Sequence, residues 1–123
     1  MLEPDKKRTA KVDQYQDRVL GLLQRNSSLK MPIKSYKIQM VFNISDIVVR
    51  QIIGKLRDQG YPIGSGKNGF WYAQDANELQ STIDELTDRM AVMSRRKQML
   101  LKAQKKLLVE ADGQMKIYWR ENV

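Results

Sequence analysis

Residues 33–72 restrict the fold more than any other part of the chain, because they predict two short helices, a tight turn between them and a β-hairpin after them. In the second helix the apolar residues recur at helical spacings and so share one side, which is expected to face a core. They are Ile44, Val49, Ile52, Ile53 and Leu56. Ser45 is predicted to cap the start of this helix, and Gly60 to end it.

The first of the two helices is predicted to begin at Ser35, whose hydroxyl is a candidate cap. Its expected buried residues are Ile38, Val41 and Phe42. Asn43 suits the turn between the helices because asparagine tolerates the left-handed backbone conformation. Downstream, residues 61–63 and 70–72 are predicted strands that flank a glycine-rich loop at residues 64–69.

Two helices joined by a tight turn and followed by a hairpin make a winged helix-turn-helix. Residues 33–72 resemble the winged-helix modules of bacterial and phage DNA-binding proteins, and are similar to the amino-terminal domain of the biotin repressor. The resemblance depends on I-x-S-x-x-I from Ile33, N-I-S from Asn43, V-R-x-I-I-x-x-L-R from Val49, and G-Y-P-I with G-F-W-Y around the glycine-rich loop. It implies that the helix after Ser45 binds DNA and that the loop around Lys67 is the wing.

Ile47 and Val48 depart from this family pattern, which usually has polar residues at their positions. They are expected to contact either thymine methyl groups or another protein. Arg50 is the candidate for guanine O6 and N7, and Gln51 for adenine N6 and N7. The start of the preceding helix, Lys55 and the wing tip are expected to reach phosphates or the minor groove. The candidate DNA contacts are Ser35, Tyr36, Lys37, Ser45, Asp46, Ile47, Val48, Arg50, Gln51, Lys55, Lys67 and Asn68.

The region before this segment completes a domain predicted over residues 11–74. Residues 1–10 are charged and predict a flexible basic arm, either a solvated terminus or an arm that touches a groove or phosphates. A first helix is predicted over residues 11–25, with apolar residues at helical spacing. These are Val12, Tyr15, Val19, Leu22 and Leu23. Residues 31–33 are a candidate third strand of the wing sheet.

Residues 75–111 predict a long helix, because the range contains no glycine or proline and Asp75 or Asn77 can cap its start. Alternating steps of four and three give a heptad stripe, which predicts a coiled coil between two copies. The stripe is Leu79, Ile83, Leu86, Met90, Met93, Lys97, Leu100, Gln104 and Leu107. The alternatives are a helix folded back against the first helix, or two shorter helices broken near Ser94.

Charge is divided along the long helix, which is acidic over residues 75–88 and basic over residues 95–106. These runs are interpreted as solvated faces, as halves that match in antiparallel pairing, or, for the basic half, as a second phosphate-binding patch. Residues 112–123 form an aromatic tail, which is expected to dock on the fold or on the other subunit rather than on a ligand.

Overall composition limits the possible functions. The 123 residues suit one ordinary domain, and the formal net charge of +8 favours polyanionic partners such as nucleic acid. The chain has no cysteine and no histidine, and so lacks thiolate metal sites, disulfides and the commonest general base. No apolar leader or membrane-spanning stretch is recognisable, which predicts a cytoplasmic protein, in the nucleoid or in a host cell. No metal or cofactor is expected.

The sequence therefore predicts a mainly α protein with a small β-hairpin, in which a winged helix-turn-helix is followed by a long helix. The leading functional hypothesis is a sequence-specific double-stranded DNA-binding regulator of bacterial or phage origin that acts as a homodimer. The alternative is a winged helix that binds another protein, such as a polymerase, a replication factor or a defence effector. An enzyme is not predicted, because the sequence shows no nucleophile–base pair, phosphate loop or metal cluster.

Overall fold

A computed structural model of the chain describes the backbone of residues 4–122 and the side chains of residues 5–113. The protein is mainly helical, with a small antiparallel hairpin and a long C-terminal helix, as the sequence predicts. In chain order the elements are α1 (Pro4–Asn26), α2 (Ser35–Phe42), α3 (Asp46–Asp58), β1 (Ile63–Gly66), β2 (Gly69–Tyr72), a 3₁₀ turn (Ala76–Leu79) and α4 (Gln80–Asn122).

The chain divides into two compact units, Met1–Ile83 and Asp84–Val123, called here the N-terminal and C-terminal units. In the N-terminal unit α3 packs against both α1 and α2, and β1 packs against α3. The buried residues predicted for the helix after Ser45, which is α3, are confirmed. Val12, Val19 and Leu23 of α1 belong to the same core. Its buried members are Val12, Val19, Leu23, Ile33, Ile38, Ile44, Val48, Val49, Ile52, Ile53, Leu56 and Ile63.

The connection between α2 and α3 has the predicted local geometry. Asn43 adopts the left-handed conformation, with φ 51° and ψ 53°. The Ser45 hydroxyl accepts a hydrogen bond from the Val48 backbone N–H at 3.2 Å, which satisfies one of the first-turn donors of α3. At the other end α3 stops at Asp58, and Gly60 takes a positive φ of 95°. Asn43 and Ser45 thus shape the connection from α2 into α3, and Gly60 shapes the exit from α3.

Two predictions about the first two helices are wrong. The first helix begins at Pro4 rather than at Lys11, so residues 4–10 of the predicted arm are helical. Proline suits the first helical position because a backbone N–H there would have no partner within the helix, so its absence costs nothing. The negative charge of Asp5 in the first turn interacts favourably with the positive end of the helix dipole. Val41 is exposed, because the side of α2 that faces the core is taken by Ile38 and by Phe42 one turn later.

The hairpin uses more of the glycine-rich segment than predicted. β1 begins at Ile63 and continues to Gly66, so only Lys67 and Asn68 remain as the turn before β2. The strands pair antiparallel, with Ile63 opposite Tyr72 and Gly66 opposite Gly69. Gly64 lies directly against the Trp71 indole, where a Cβ would overlap the ring. The strands can pair at this position because glycine has no Cβ.

The predicted third strand is reduced to a single bridge between Ile33 and Phe70. The Ile33 N–H donates to the Phe70 carbonyl at 2.8 Å, and the Phe70 N–H donates to the Ile33 carbonyl at 2.8 Å. This pair of bonds ties the segment before α2 to β2. It closes the hairpin onto the helical core.

α4 is one continuous helix of 43 residues, which excludes the predicted alternative of a break near Ser94. Asp75 is a cap as predicted, although it caps the 3₁₀ turn that precedes α4, accepting from the Glu78 N–H at 3.1 Å. The helix passes through Gly113 rather than ending at residue 111, since one glycine costs only about 1 kcal/mol in a helix. The side chains of residues 114–123, most of the predicted aromatic tail, lie outside the described residues. No helix in the described part of the chain is long and apolar enough to cross a membrane.

Candidate nucleic-acid interface

The outer side of α3 presents three of the predicted DNA contacts. Ile47, Arg50 and Gln51 are all exposed, while Val49, Ile52 and Ile53 between and beyond them are buried. This division follows from helical geometry, since residues three and four apart share a face. The structure therefore brings a cation, an amide and an apolar side chain together on one uncovered strip of α3.

Val48 does not belong to this strip, and its prediction as a DNA contact is wrong. Its side chain is only 2% exposed and is part of the core. Val48 and Ile52 are one helical turn apart in α3, so they lie on the same, buried side. Ile47 is the member of the apolar pair that faces outward, with half of its surface exposed.

Ser35, Asp46 and Arg50 form a connected polar chain rather than three independent DNA contacts. The Ser35 hydroxyl donates to Asp46 Oδ1 at 2.5 Å, and Arg50 Nε lies 2.8 Å from Asp46 Oδ2 in an ion pair. Gln39 Nε2 donates to the Ser35 oxygen at 3.1 Å. The prediction of Ser35 as the α2 cap is wrong, because Lys34 occupies the cap position and Ser35 is the first helical residue.

The predicted cations of α3 are placed differently from one another. Lys55 forms an ion pair with Asp13 of α1 at 2.6 Å, which turns its ammonium toward a neighbouring helix. Arg57 donates to the Ile63 carbonyl and to the Ser65 hydroxyl, both at 2.9 Å. Sequence reasoning missed these two contacts because their partners lie on other elements.

The turn of the hairpin and the start of α2 present the remaining candidates. Lys67 and Asn68 are exposed at the two-residue turn, and Tyr36 and Lys37 are exposed in the first turn of α2. The exposed Lys34 at the α2 cap position adds a cation that sequence reasoning did not select. Ser45 keeps its structural role as the α3 cap. Lys34 and Lys37 therefore place cations beside the backbone N–H groups at the start of α2, a combination that suits phosphate oxygens.

The charge of this region is strongly unbalanced. From position 30 to position 67 the basic residues are Lys30, Lys34, Lys37, Arg50, Lys55, Arg57 and Lys67, whereas the acids are Asp46 and Asp58. With Lys55 and Arg57 held by protein groups, the other basic side chains are exposed. A polyanion that approached this part of the surface would be attracted at close range.

The predicted dimerisation stripe of α4 is exposed along most of its length. Leu79, in the 3₁₀ turn, is half-buried, and the later members of the stripe are exposed. These are Ile83, Leu86, Met90, Met93, Lys97, Leu100, Gln104 and Leu107. The early stripe of Leu79, Ile83 and Leu86 is predicted to pack on the winged helix. In the N-terminal unit the buried residue of this stretch is Thr82, whose hydroxyl accepts from the Ser65 N–H at 2.9 Å.

Among the residues whose side chains are described, no group of three or more acidic side chains could hold a metal ion. No protein-family model matches the chain, and no curated protein or solved structure is significantly similar to it. Functional conclusions therefore depend on the chemistry and placement of the residues above.

Proposed function

We propose that the chain is a sequence-specific double-stranded DNA-binding regulator of bacterial or phage origin. In this proposal the N-terminal unit acts as a winged helix-turn-helix, with α3 as the recognition helix and the β1–β2 hairpin as the wing. The observation that carries it is the outer strip of α3, where Ile47, Arg50 and Gln51 are uncovered while the opposite side holds the core. An α-helix fits the major groove, where such a strip meets base edges.

Each residue of the strip has a chemical match in the major groove. Arg50 can donate two hydrogen bonds to guanine O6 and N7, and Gln51 can pair with adenine N6 and N7. Ile47, half exposed, can contact a thymine methyl group. Around them, Tyr36 and Lys37 would contact phosphates, and Lys67 with Asn68 would reach the adjacent minor groove or its phosphates.

Base-reading and phosphate-binding residues are expected to respond differently to substitution. Arg50→Ala should reduce discrimination at one base pair by about 1–3 kcal/mol, because a bidentate base contact is lost. Lys67→Ala should weaken binding to all sequences by a similar factor, because a phosphate does not depend on sequence. The measurement is selection of bound duplexes from a random library, followed by fluorescence anisotropy on the selected and scrambled sites. The proposal fails if the wild-type protein selects no sequence, or if Arg50→Ala selects the same sites with the same preference.

We also propose that the protein binds DNA as a homodimer through α4. The stripe on this helix is apolar and exposed from Ile83 to Leu107, and an exposed stripe of this kind marks an interaction surface. Lys97 and Gln104 interrupt it at positions where polar residues set register and strand number at some cost in stability. Two copies related by a two-fold axis would suit an inverted-repeat site.

Two methionines of α4 offer a matched test of this dimer. Met93, on the stripe, is 67% exposed, and Met99, off the stripe, is 62% exposed, so both face solvent to a similar degree in a single chain. Met93→Lys is expected to weaken self-association at least 10-fold by placing a charge in the seam, whereas Met99→Lys should have little effect. Sedimentation equilibrium over a concentration series measures both. Equal effects of the two substitutions, or a wild-type protein that stays monomeric, would contradict the dimer.

A protein partner is the second candidate function, and exposed apolar side chains of α2 favour it. Met40 is 76% exposed and Val41 56%, and the DNA-binding arrangement above uses neither. Exposed apolar side chains of this kind are what a protein partner would cover. Failure of the wild-type protein to bind any duplex at low salt would favour this function over DNA binding.

A further inference from the structure

Asp46 was selected from the sequence as a DNA contact, but its carboxylate already has two protein partners. Oδ1 accepts from the Ser35 hydroxyl at 2.5 Å, and Oδ2 forms an ion pair with Arg50, 2.8 Å from its Nε. Ser35 is itself bound by Gln39 at 3.1 Å. Both oxygens of this carboxylate, at the start of α3, are therefore already held by protein groups.

The same contacts define which part of Arg50 remains available. Nε is the guanidinium atom that lies against Asp46 in the ion pair, and no other partner of Arg50 is found among the described side chains. Its two Nη groups form the far end of the planar fork, and their spacing matches guanine O6 and N7. The Arg50 side chain is 76% exposed, so this end faces outward.

We propose that Asp46 is a positioning residue that sets the base preference of the protein by orienting Arg50 toward guanine. This inference rests on the proposed DNA-binding function and adds to it the origin of one specificity position. Held through Nε, the guanidinium presents its two Nη groups end-on. Without Asp46 the long side chain samples many rotamers, and its contacts are divided between bases and phosphates.

An isolated ion pair one helical turn apart on a surface contributes little, and such a pair alone would not support this inference. Here the carboxylate is also fixed from a different helix. Ser35 and Gln39 belong to α2, so the bond from Ser35 connects the start of α2 to the start of α3. The orientation of Arg50 is thus coupled to the packing of two helices rather than to one flexible side chain.

The test compares two carboxylates of the same helix. Asp46→Ala and Asp58→Ala each remove one negative charge from α3, but Asp58 is exposed at the C-terminal end of α3, three turns from Asp46. Library selection is performed with the wild-type protein, both variants, Asp46→Asn, and the double variant Asp46→Ala with Arg50→Ala. Thermal unfolding followed by circular dichroism confirms that each protein is folded at the selection temperature.

We expect Asp46→Ala to lower the preference for guanine at one position roughly five-fold while binding to random DNA is kept or strengthened by the lost negative charge. Asp46→Asn should act in the same direction, and Asp58→Ala should leave the preference unchanged. In the Arg50→Ala background, Asp46→Ala should have no further effect on base preference, because Asp46 acts through Arg50.

The inference is overturned if the Asp46 variants keep the wild-type preference, if Asp58→Ala lowers it equally, or if Asp46→Ala still changes it when Arg50 is absent. Each of these results leaves the DNA-binding proposal intact, since the wild-type protein still selects a site. If the wild-type protein selects no sequence, the proposed function and the role of Asp46 are both refuted.

Discussion

DNA affinity is expected to fall roughly 1,000-fold when the salt concentration rises from about 50 to about 200 mM. The estimate follows from three exposed lysines per chain that are placed for phosphate contacts, Lys34, Lys37 and Lys67. In a dimer they neutralise six phosphates, which gives a slope of about −5 in a plot of log K against log salt concentration. A monomer with the same contacts would give a slope of about −3. Anisotropy titrations at several salt concentrations measure the slope.

Two lysine variants separate phosphate contacts from general charge in this experiment. Lys67→Ala should make the slope shallower by about 2 in a dimer and by about 1 in a monomer. Lys55→Ala should leave the slope unchanged, because the ammonium of Lys55 is bound to Asp13 at 2.6 Å. Affinity that does not depend on salt would rule out a phosphate-dominated interface. A shallower slope with Lys55→Ala would show that this lysine reaches DNA after all.

Gly69→Ala is expected to destabilise the protein by about 3 kcal/mol and to lower the Tm by roughly 10–20 °C. Gly69 has a φ of 123°, which an alanine adopts only with strain. A Cβ at this position would also overlap the backbone carbonyl of Ile33. Relief of that overlap would separate Ile33 from Phe70 and break the two 2.8 Å hydrogen bonds that join them.

Gly66, opposite Gly69 in the hairpin, supplies the control. A Cβ on Gly66 would lie 3.6 Å from the nearest Trp71 atom, an ordinary van der Waals distance. Gly66→Ala should therefore change the Tm by only a few degrees. Urea unfolding monitored by circular dichroism gives the free energy of unfolding of both variants. If the two variants are equally stable, the bridge to Ile33 does not hold the hairpin in the way described.

The interface could be predicted only in part from the sequence, and Val48 shows why. Ile47, Val48 and Val49 are consecutive apolar residues, and at about 100° per residue they cannot all face one side of a helix. Hydrophobic periodicity alone does not decide which of them is buried. Packing of α3 against α1 and α2 decides it, and the structure buries Val48 and Val49 and leaves Ile47 outside.

The positively charged residues show the same limit. The sequence predicts Lys55 as a DNA contact, and it does not reveal the ion pair with Asp13, because Asp13 is far away along the chain. Arg57 donates to the Ile63 carbonyl and the Ser65 hydroxyl of β1, which the residues around it in the sequence do not indicate. Long side chains on a helix surface select partners by proximity in space, which neighbouring residues in the sequence do not reveal.

The sequence by itself determined the local geometry of the α2–α3 region. Asn43, Ser45 and Gly60 act through their own backbone dihedral angles and through hydrogen bonds within one helical turn, so their roles can be inferred from residue type and position. The tertiary structure alone decided which of the candidate side chains are free to meet a ligand. That outcome depends on contacts between separate elements, such as the bond from Ser35 to Asp46 that orients Arg50.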